Sequence, residues 1–316
     1  MRCHSVRLPL PLLLSFLTLL VGAVTVSGFR ICSYNVQKFN YQKAKNYRVI
    51  HTLTRVLHRC DISLLQDVVD PDGKAIKALL VSLNRYRGID RYEGNYAYKS
   101  LSSEALGKSA DDMQQYVFIY RIQTVNVTGH YQYQKKDSFV REPFIVQFQS
   151  NKTAINEFVL VPLHTEPTKA VQEMDQLYDV FEDVERRWNN TNVMFLGDFH
   201  AGCAYMSRTD KKNIRLFSNT NFSWLIRDKT DTTLSQETNC PYDRIVVHGQ
   251  PFLKGIKPFS AKVYNFAKEL KLPRSKAREV SDHLPVEVTL KSPAPLIQAT
   301  PLLVLLSVSA VVRSFL

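Results

Sequence analysis

The sequence predicts an α/β fold in one domain, on three observations. Short apolar runs of strand character recur along the chain, a few longer segments carry a helical stripe, and the two alternate without an internal repeat or low-complexity linker. The 316 residues, 45% of them apolar, suffice for one large domain with an ordinary core.

Taken in order, Phe29–Tyr34 is expected as a first buried strand. Between Lys43 and Arg59, Val49, Leu53, Val56 and Leu57 fall on one helical face. A short strand at Ile62–Leu65 and a helix at Ala75–Leu83 follow. Further strands are expected at Tyr116–Tyr120, Phe144–Phe148, Phe158–Leu163, Val193–Leu196, Ile245–Val247 and Val286–Leu290. The strongest helical pattern is Thr168–Trp188, where Val171, Met174, Leu177, Phe181 and Val184 mark one face and charges fill the other. Pro167 suits its first turn.

The two ends differ from the middle. Arg2 and Arg7 precede an apolar stretch from Leu8 to Val24, and Val26-Ser27-Gly28 offers a small-residue cleavage site. Residues 1–28 therefore read as a signal peptide, the alternative being an uncleaved anchor. Residues 291–316 form a hydrophobic C-terminal tail. Its apolar run from Pro301 to Val312 is short for a membrane span and follows a spacer with Pro and Ser. That tail reads either as a lipid-anchor signal, tethering the protein to a membrane, or as a disordered or otherwise membrane-associated segment.

Between the ends, residues 29–290 hold 37 basic and 29 acidic residues, a net charge of +8. Such a balance favours a polyanionic partner. The basic residues thicken from Lys254 to Arg278 and run into Ser281-Asp282-His283; a solvated basic face is the plainer reading of that run. Apart from Cys3, the cysteines are Cys32, Cys60, Cys203 and Cys240, which allow three pairings in an oxidising compartment. Cys32 lies in an apolar strand and Cys60 ends a helical pattern, as buried thiols would. Asn126, Asn151, Asn189 and Asn221 each open a glycosylation sequon, which supports passage through the secretory pathway.

Three apolar strands end in a titratable group: Asp67 after Ile62–Gln66, His164 after Phe158–Leu163, and Asp198 after Val193–Gly197. Asp243 precedes Ile245–Val247 and His283 precedes Val286–Leu290. Alone, a strand-end Asp is usually a turn former. Five together are expected to meet at one edge if the strands share a sheet. Carboxylates that hold a divalent metal, with a histidine oriented by a carboxylate, are what phosphodiester hydrolysis requires.

These residues sit in motifs that resemble the deoxyribonuclease I family of the endonuclease/exonuclease/phosphatase superfamily. The resemblance runs from about Phe29 to Leu290 and rests on Ser33-Tyr34-Asn35, Leu65-Gln66-Asp67, Ser138-Phe139-Val140-Arg141-Glu142-Pro143, Pro162-Leu163-His164, Gly197-Asp198-Phe199, Asp231-Thr232-Thr233, Asn239–Arg244 and Ser281-Asp282-His283. It implies a four-layer sandwich, two packed mixed β-sheets flanked by helices, with residues 29–290 as the catalytic domain. It also implies Mg²⁺ or Mn²⁺ at Asn35, Asp67 and Asp282, a His283–Asp243 dyad that activates water, His164 as second imidazole, and Asp198 at the scissile phosphate. Arg141 would contact the DNA backbone, Cys203 would pair with Cys240, and Asp231 with Thr233 would bind Ca²⁺; Asp137 and Glu142 are a weaker second ion site.

The chain departs from the family pattern at the centre. Asp67 stands for a Glu, His200 for an Asn, and Gln114 for the Glu that orients the second histidine, with Asp112 as the alternative in another register. Val69 stands where some members have an Arg that reaches the minor groove. The expected protein is a monomeric endonuclease of the endoplasmic reticulum, the extracellular space or an anchored cell-surface pool, weakened or specialised by these changes. Its rivals are a decayed nucleic-acid-binding protein and a phospholipid or inositol phosphate phosphoesterase.

Overall fold

The computed structural model describes residues 28–86, 97–135, 138–237 and 239–293. The signal segment before Gly28, the tail beyond Pro293 and Asp137 lie outside the described residues. Twelve strands are described: β1 Phe29–Phe39, β2 Ile62–Val68, β3 Tyr98–Ser102, β4 Gln115–Arg121, β5 Asn126–Gln132, β6 Phe144–Gln149, β7 Glu157–His164, β8 Val193–Asp198, β9 Phe222–Trp224, β10 Asp243–His248, β11 Lys262–Val263 and β12 Val286–Leu290. They form two six-stranded sheets, ordered β11-β12-β1-β2-β4-β3 and β5-β6-β7-β8-β10-β9. Both are mixed: β1 runs parallel to β2 and β7 to β8, and the other pairings are antiparallel.

The period of a strand explains the layers. Ile62 and Leu64 of β2 face the same inner core as Phe158 and Leu160 of β7, together with Phe118, Phe148 and Leu196. Leu65 of β2 points the other way, against Leu53, Val56 and Leu79 of the helices Tyr47–Leu57 and Lys74–Arg85. Val159 and Val161 of β7 do the same against Met174, Leu177 and Val180 of the helix Ala170–Trp188. Strands covered on both faces read as unbroken apolar runs, which is why the central ones were legible. The result is helix, sheet, sheet, helix: the four-layer sandwich.

Several elements differ from expectation. The Lys43–Arg59 pattern is two helices, Tyr41–Lys45 and Tyr47–Leu57; Asn46 ends the first and caps the second, accepting the Arg48 N–H at 3.0 Å. β3 and β5 are sheet edges, partly exposed and polar, and so lack an apolar signature. Cys32 and Cys60 are not free thiols but a disulfide, and Cys203 pairs with Cys240. All four sequon asparagines are exposed.

Candidate active site

Strand register assembles the centre. In the parallel β7–β8 pair His164 lies opposite Asp198, and in the antiparallel β8–β10 pair Asp243 lies opposite the same residue. The first sheet supplies Asn35, Gln66 and Asp67, and the turn before β12 supplies Ser281 to His283. The expectation of a single sheet edge is thus corrected: the groups sit at matching ends of two sheets, which hydrogen bonds tie together. Gln66 Nε2 donates to the Leu163 carbonyl at 2.8 Å, Asn35 Nδ2 to Asp198 Oδ2 at 3.0 Å, and Ser281 Oγ to the Asn35 carbonyl at 2.7 Å. Gly197 permits this approach. It holds φ at +145°, and a Cβ there would stand 2.0 Å from the Leu163 carbonyl oxygen.

Asp198 is the hub and is almost wholly buried. His200 Nδ1 lies 3.4 Å from its carboxylate, His283 Nε2 3.6 Å and His164 Nε2 3.7 Å. Burial alone would raise its pKa; the three imidazoles and Asn35 outweigh burial and hold it well below the usual carboxylate range.

The imidazoles are held differently. His283 Nδ1 meets Asp243 Oδ2 at 2.8 Å. Burial works against its charge, but Asp243 and Asp198 prevail and raise its pKa to about 10. Asp243 is itself pushed up by burial, so the pair retains a proton. His164 Nδ1 lies 2.8 Å from Gln114 Oε1. An amide oxygen only accepts, so Nδ1 carries the hydrogen and Nε2 is left bare. Burial lowers the His164 pKa to about 3. His200 Nδ1 contacts Thr165 Oγ1 at 2.9 Å, and its ring stacks on His164 with centroids 6.0 Å apart. Among the described residues, His164, Asp198 and His200, and likewise Asp198, Asp243 and His283, bring ligand-type atoms within 4.8 Å of one another.

Asp67 is not a simple strand end. It occupies a bulge of β2 at φ 57°, and its Oδ1 is buried without a hydrogen-bond partner. Burial raises its pKa against the pull of Lys38, Arg141 and Lys43. Lys43 donates to the Val36 and Gln37 carbonyls at 2.8 and 2.6 Å. Burial lowers its pKa to about 8, opposed by both Asp67 and Asp282. The free Asp67 Oδ1 is a hard oxygen donor of the kind a divalent cation takes, whereas Asn35 Oδ1 accepts the Gln37 N–H at 3.0 Å.

Arg141, expected at the DNA backbone, has a buried side chain whose Nη2 donates to Asp112 Oδ1 at 2.7 Å. Its Nε and Nη1 are buried without a partner. Asp112 therefore serves Arg141, while Gln114 serves His164. Asp231 Oδ1 accepts from Thr233 N, Thr233 Oγ1 and Cys240 N at 3.1, 3.0 and 3.3 Å. That bracing leads into Thr232 Oγ1, which accepts the Tyr242 and Asp243 N–H groups at 3.1 Å each. Glu142 lies in the β5–β6 loop, its carbonyl accepting from Gln132 Nε2 at 2.6 Å.

The sequence reading missed the residues that hold this set. Arg244 is fully buried and donates to the Pro241, Ile226 and Ala201 carbonyls and to Asp228. Glu173 accepts the Val140 and Glu166 N–H groups at 2.8 and 2.9 Å, locking the Arg141 and His164 loops to one helix; burial pushes its pKa up to about 7. Tyr116 accepts the His164 N–H at 2.9 Å and donates to the Arg141 carbonyl at 3.1 Å. A glutamate on the apolar face of a helix was the available signal for Glu173.

Residues 32–283 match the model of the Endonuclease/Exonuclease/phosphatase family. The chain is 40% identical over 283 residues to human deoxyribonuclease gamma, covering 87% of this chain and 90% of that one. It is 40% identical over 301 residues to human deoxyribonuclease-1-like 1 (95% and 96% covered), and 41% over 273 residues to mouse deoxyribonuclease-1-like 2 (86% and 95%). Solved structures share the fold at low identity. A humanized D. rerio TDP2 has a TM-score of 0.55 at 15% identity, covering 84% of this chain and all of that one. The human Nocturnin catalytic domain has a TM-score of 0.54 at 12% identity, covering 84% and 95%. On its motifs, its two-sheet architecture and these similarities, the chain belongs to the deoxyribonuclease I family within the endonuclease/exonuclease/phosphatase superfamily.

Proposed function

We propose that the chain is a divalent-metal-dependent endonuclease that hydrolyses DNA phosphodiester bonds. The observation that carries this reading is Asp198, gripped by Asn35 and faced by two imidazoles whose partners set opposite protonation states. A Mg²⁺ or Mn²⁺ ion held by Asn35, Asp67 and Asp282 would neutralise charge on the phosphoryl oxygens. His164, neutral and with Nε2 bare, accepts the proton of the attacking water, as a weak base because burial leaves it little proton affinity and Gln114 adds none. His283, charged and braced by Asp243, donates to the leaving 3′-oxygen. Groups whose surroundings push their pKa values apart divide acid from base in this way. The assignment reverses the water-activating role expected for His283, because Gln114 brings no charge to His164 while Asp243 brings one to His283. The idle Nε and Nη1 of Arg141 remain for a phosphate oxygen.

The finer expectations belong to the same proposal. The two disulfides and four exposed sequons support folding in the secretory pathway, followed by residence in the endoplasmic reticulum, outside the cell or on its surface. Calcium at Asp231 and Thr233, and the monomeric state, rest on the resemblance. Purified protein with Mg²⁺ and Ca²⁺ should convert supercoiled plasmid to nicked circles, and a chelator should stop it. DNA binding without nicking under any divalent ion would indicate the decayed-site reading instead.

A further inference from the structure

The basic run that reaches from Lys254 toward the catalytic turn divides in space. Its first part lies at the far end of the sheets. β12 leads away from His283 to Leu290, and there the Lys257 N–H donates to the Thr289 carbonyl at 2.8 Å while Ile256 bridges Leu290. Five residues of strand, about 15 Å, separate the two ends.

At that end Pro258 and Phe259 form the tip of a turn closed by the Ser260 N–H on the Lys257 carbonyl. Ser260 Oγ both donates to the Thr289 carbonyl and accepts its N–H, which pins the turn to β12. Phe259 has φ 58°, a position that usually calls for Gly or Asn, and it is 97% exposed. An aromatic ring held in water on an unfavourable backbone costs the fold twice. Beside it is a shallow cavity of about 600 Å³ with an apolar floor. Arg227, Lys254, Lys257, Lys262 and Lys291 line it and are all exposed, and no carboxylate lines it.

We infer that this face docks onto an anionic lipid surface, with Phe259 inserted between headgroups and the surrounding cations facing lipid phosphates and carboxylates. An apolar finger ringed by cations, of which among the described residues Lys262 alone lies near a carboxylate, 3.7 Å from Glu287, is the chemistry such a surface recognises. Direction supports a membrane over a second stretch of nucleic acid. Lys291 lies in the cavity wall, Pro293 ends the described chain two residues later, and the sequence continues into the apolar run 301–312. A tail held in a bilayer would bring this face against it and leave the Asp198 rim open to DNA.

The test uses full-length protein and flotation with phosphatidylcholine vesicles, with and without phosphatidylserine. Phosphatidylserine should increase binding by about tenfold, an effect that salt weakens. Phe259→Asn, which suits the positive φ, and Lys254→Glu with Lys257→Glu should each abolish that preference. Residual binding through the tail and plasmid nicking in free solution should stay unchanged, and thermal stability should not fall. Variants that keep the full phosphatidylserine preference would overturn the inference. So would variants that bind vesicles normally but lose affinity for duplex DNA, since the face would then be a nucleic-acid contact.

Discussion

The protonation of each imidazole around Asp198 depends on what holds its second nitrogen. Asp243 gives His283 a full negative charge at 2.8 Å, whereas Gln114 gives His164 only a dipole at the same distance. With its pKa lowered to about 3, His164 stays neutral through the mildly acidic range. Replacing Gln114→Glu should raise that pKa. We expect the variant to turn over faster at alkaline pH, by up to about tenfold, and to lose activity at a higher pH than the parent as acid is added. Superimposable pH–rate profiles would contradict the assignment of His164 as base. Asp67 adds a second expectation. Burial raises its pKa, so protons compete with metal there, and raising Mg²⁺ should move the acid limb of activity to lower pH. Initial nicking rates across a grid of pH and metal concentration measure both effects.

At the scale of elements, two disulfides staple different ends of the sandwich. Cys203–Cys240 closes 37 residues and leads directly into Asp243; Cys32–Cys60 closes 28 and joins β1 to the start of β2, away from Asp67. In the chain-entropy model each is worth about 3–4 kcal/mol. Chemical denaturation should therefore show similar losses for Cys203→Ser with Cys240→Ser and for Cys32→Ser with Cys60→Ser. Only the first pair should also depress nicking under native conditions, because it loosens the Asp231–Asp243 loop. These elements also show what the sequence made legible. Buried central strands such as β7 and β8 announced themselves as apolar runs, and the groups at their ends were found for that reason. Polar edge strands did not. Nor did long-range partners such as Arg244 and Glu173, whose roles depend on loops far apart in the chain. The departures at Gln114 and Asp67 were legible as substitutions, but the bulge at Asp67 and the Arg141–Asp112 pair required coordinates.

The whole molecule places two buried sheets back to back and keeps polar chemistry at their ends. That arrangement predicts how stability responds to acid. His164 is depressed from 6.5 to about 3 in the folded state, so its contribution to stability is present above pH 6.5 and is lost as pH falls toward 3. Asp198, also depressed, adds a loss at lower pH. Glu173 and His283, raised to about 7 and about 10, gain stability over the same interval, so the His164 effect is read as a difference: the melting temperature of His164→Gln relative to the parent should rise from pH 7 to pH 5. The Asp198-centred site itself is tested most directly by the initial rate of plasmid nicking by His283→Ala against the parent, with Mg²⁺ present and duplex DNA affinity measured alongside. The rate is expected to be lower by roughly a hundredfold or more with affinity unchanged. A variant that nicks at the parental rate would place the chemistry elsewhere.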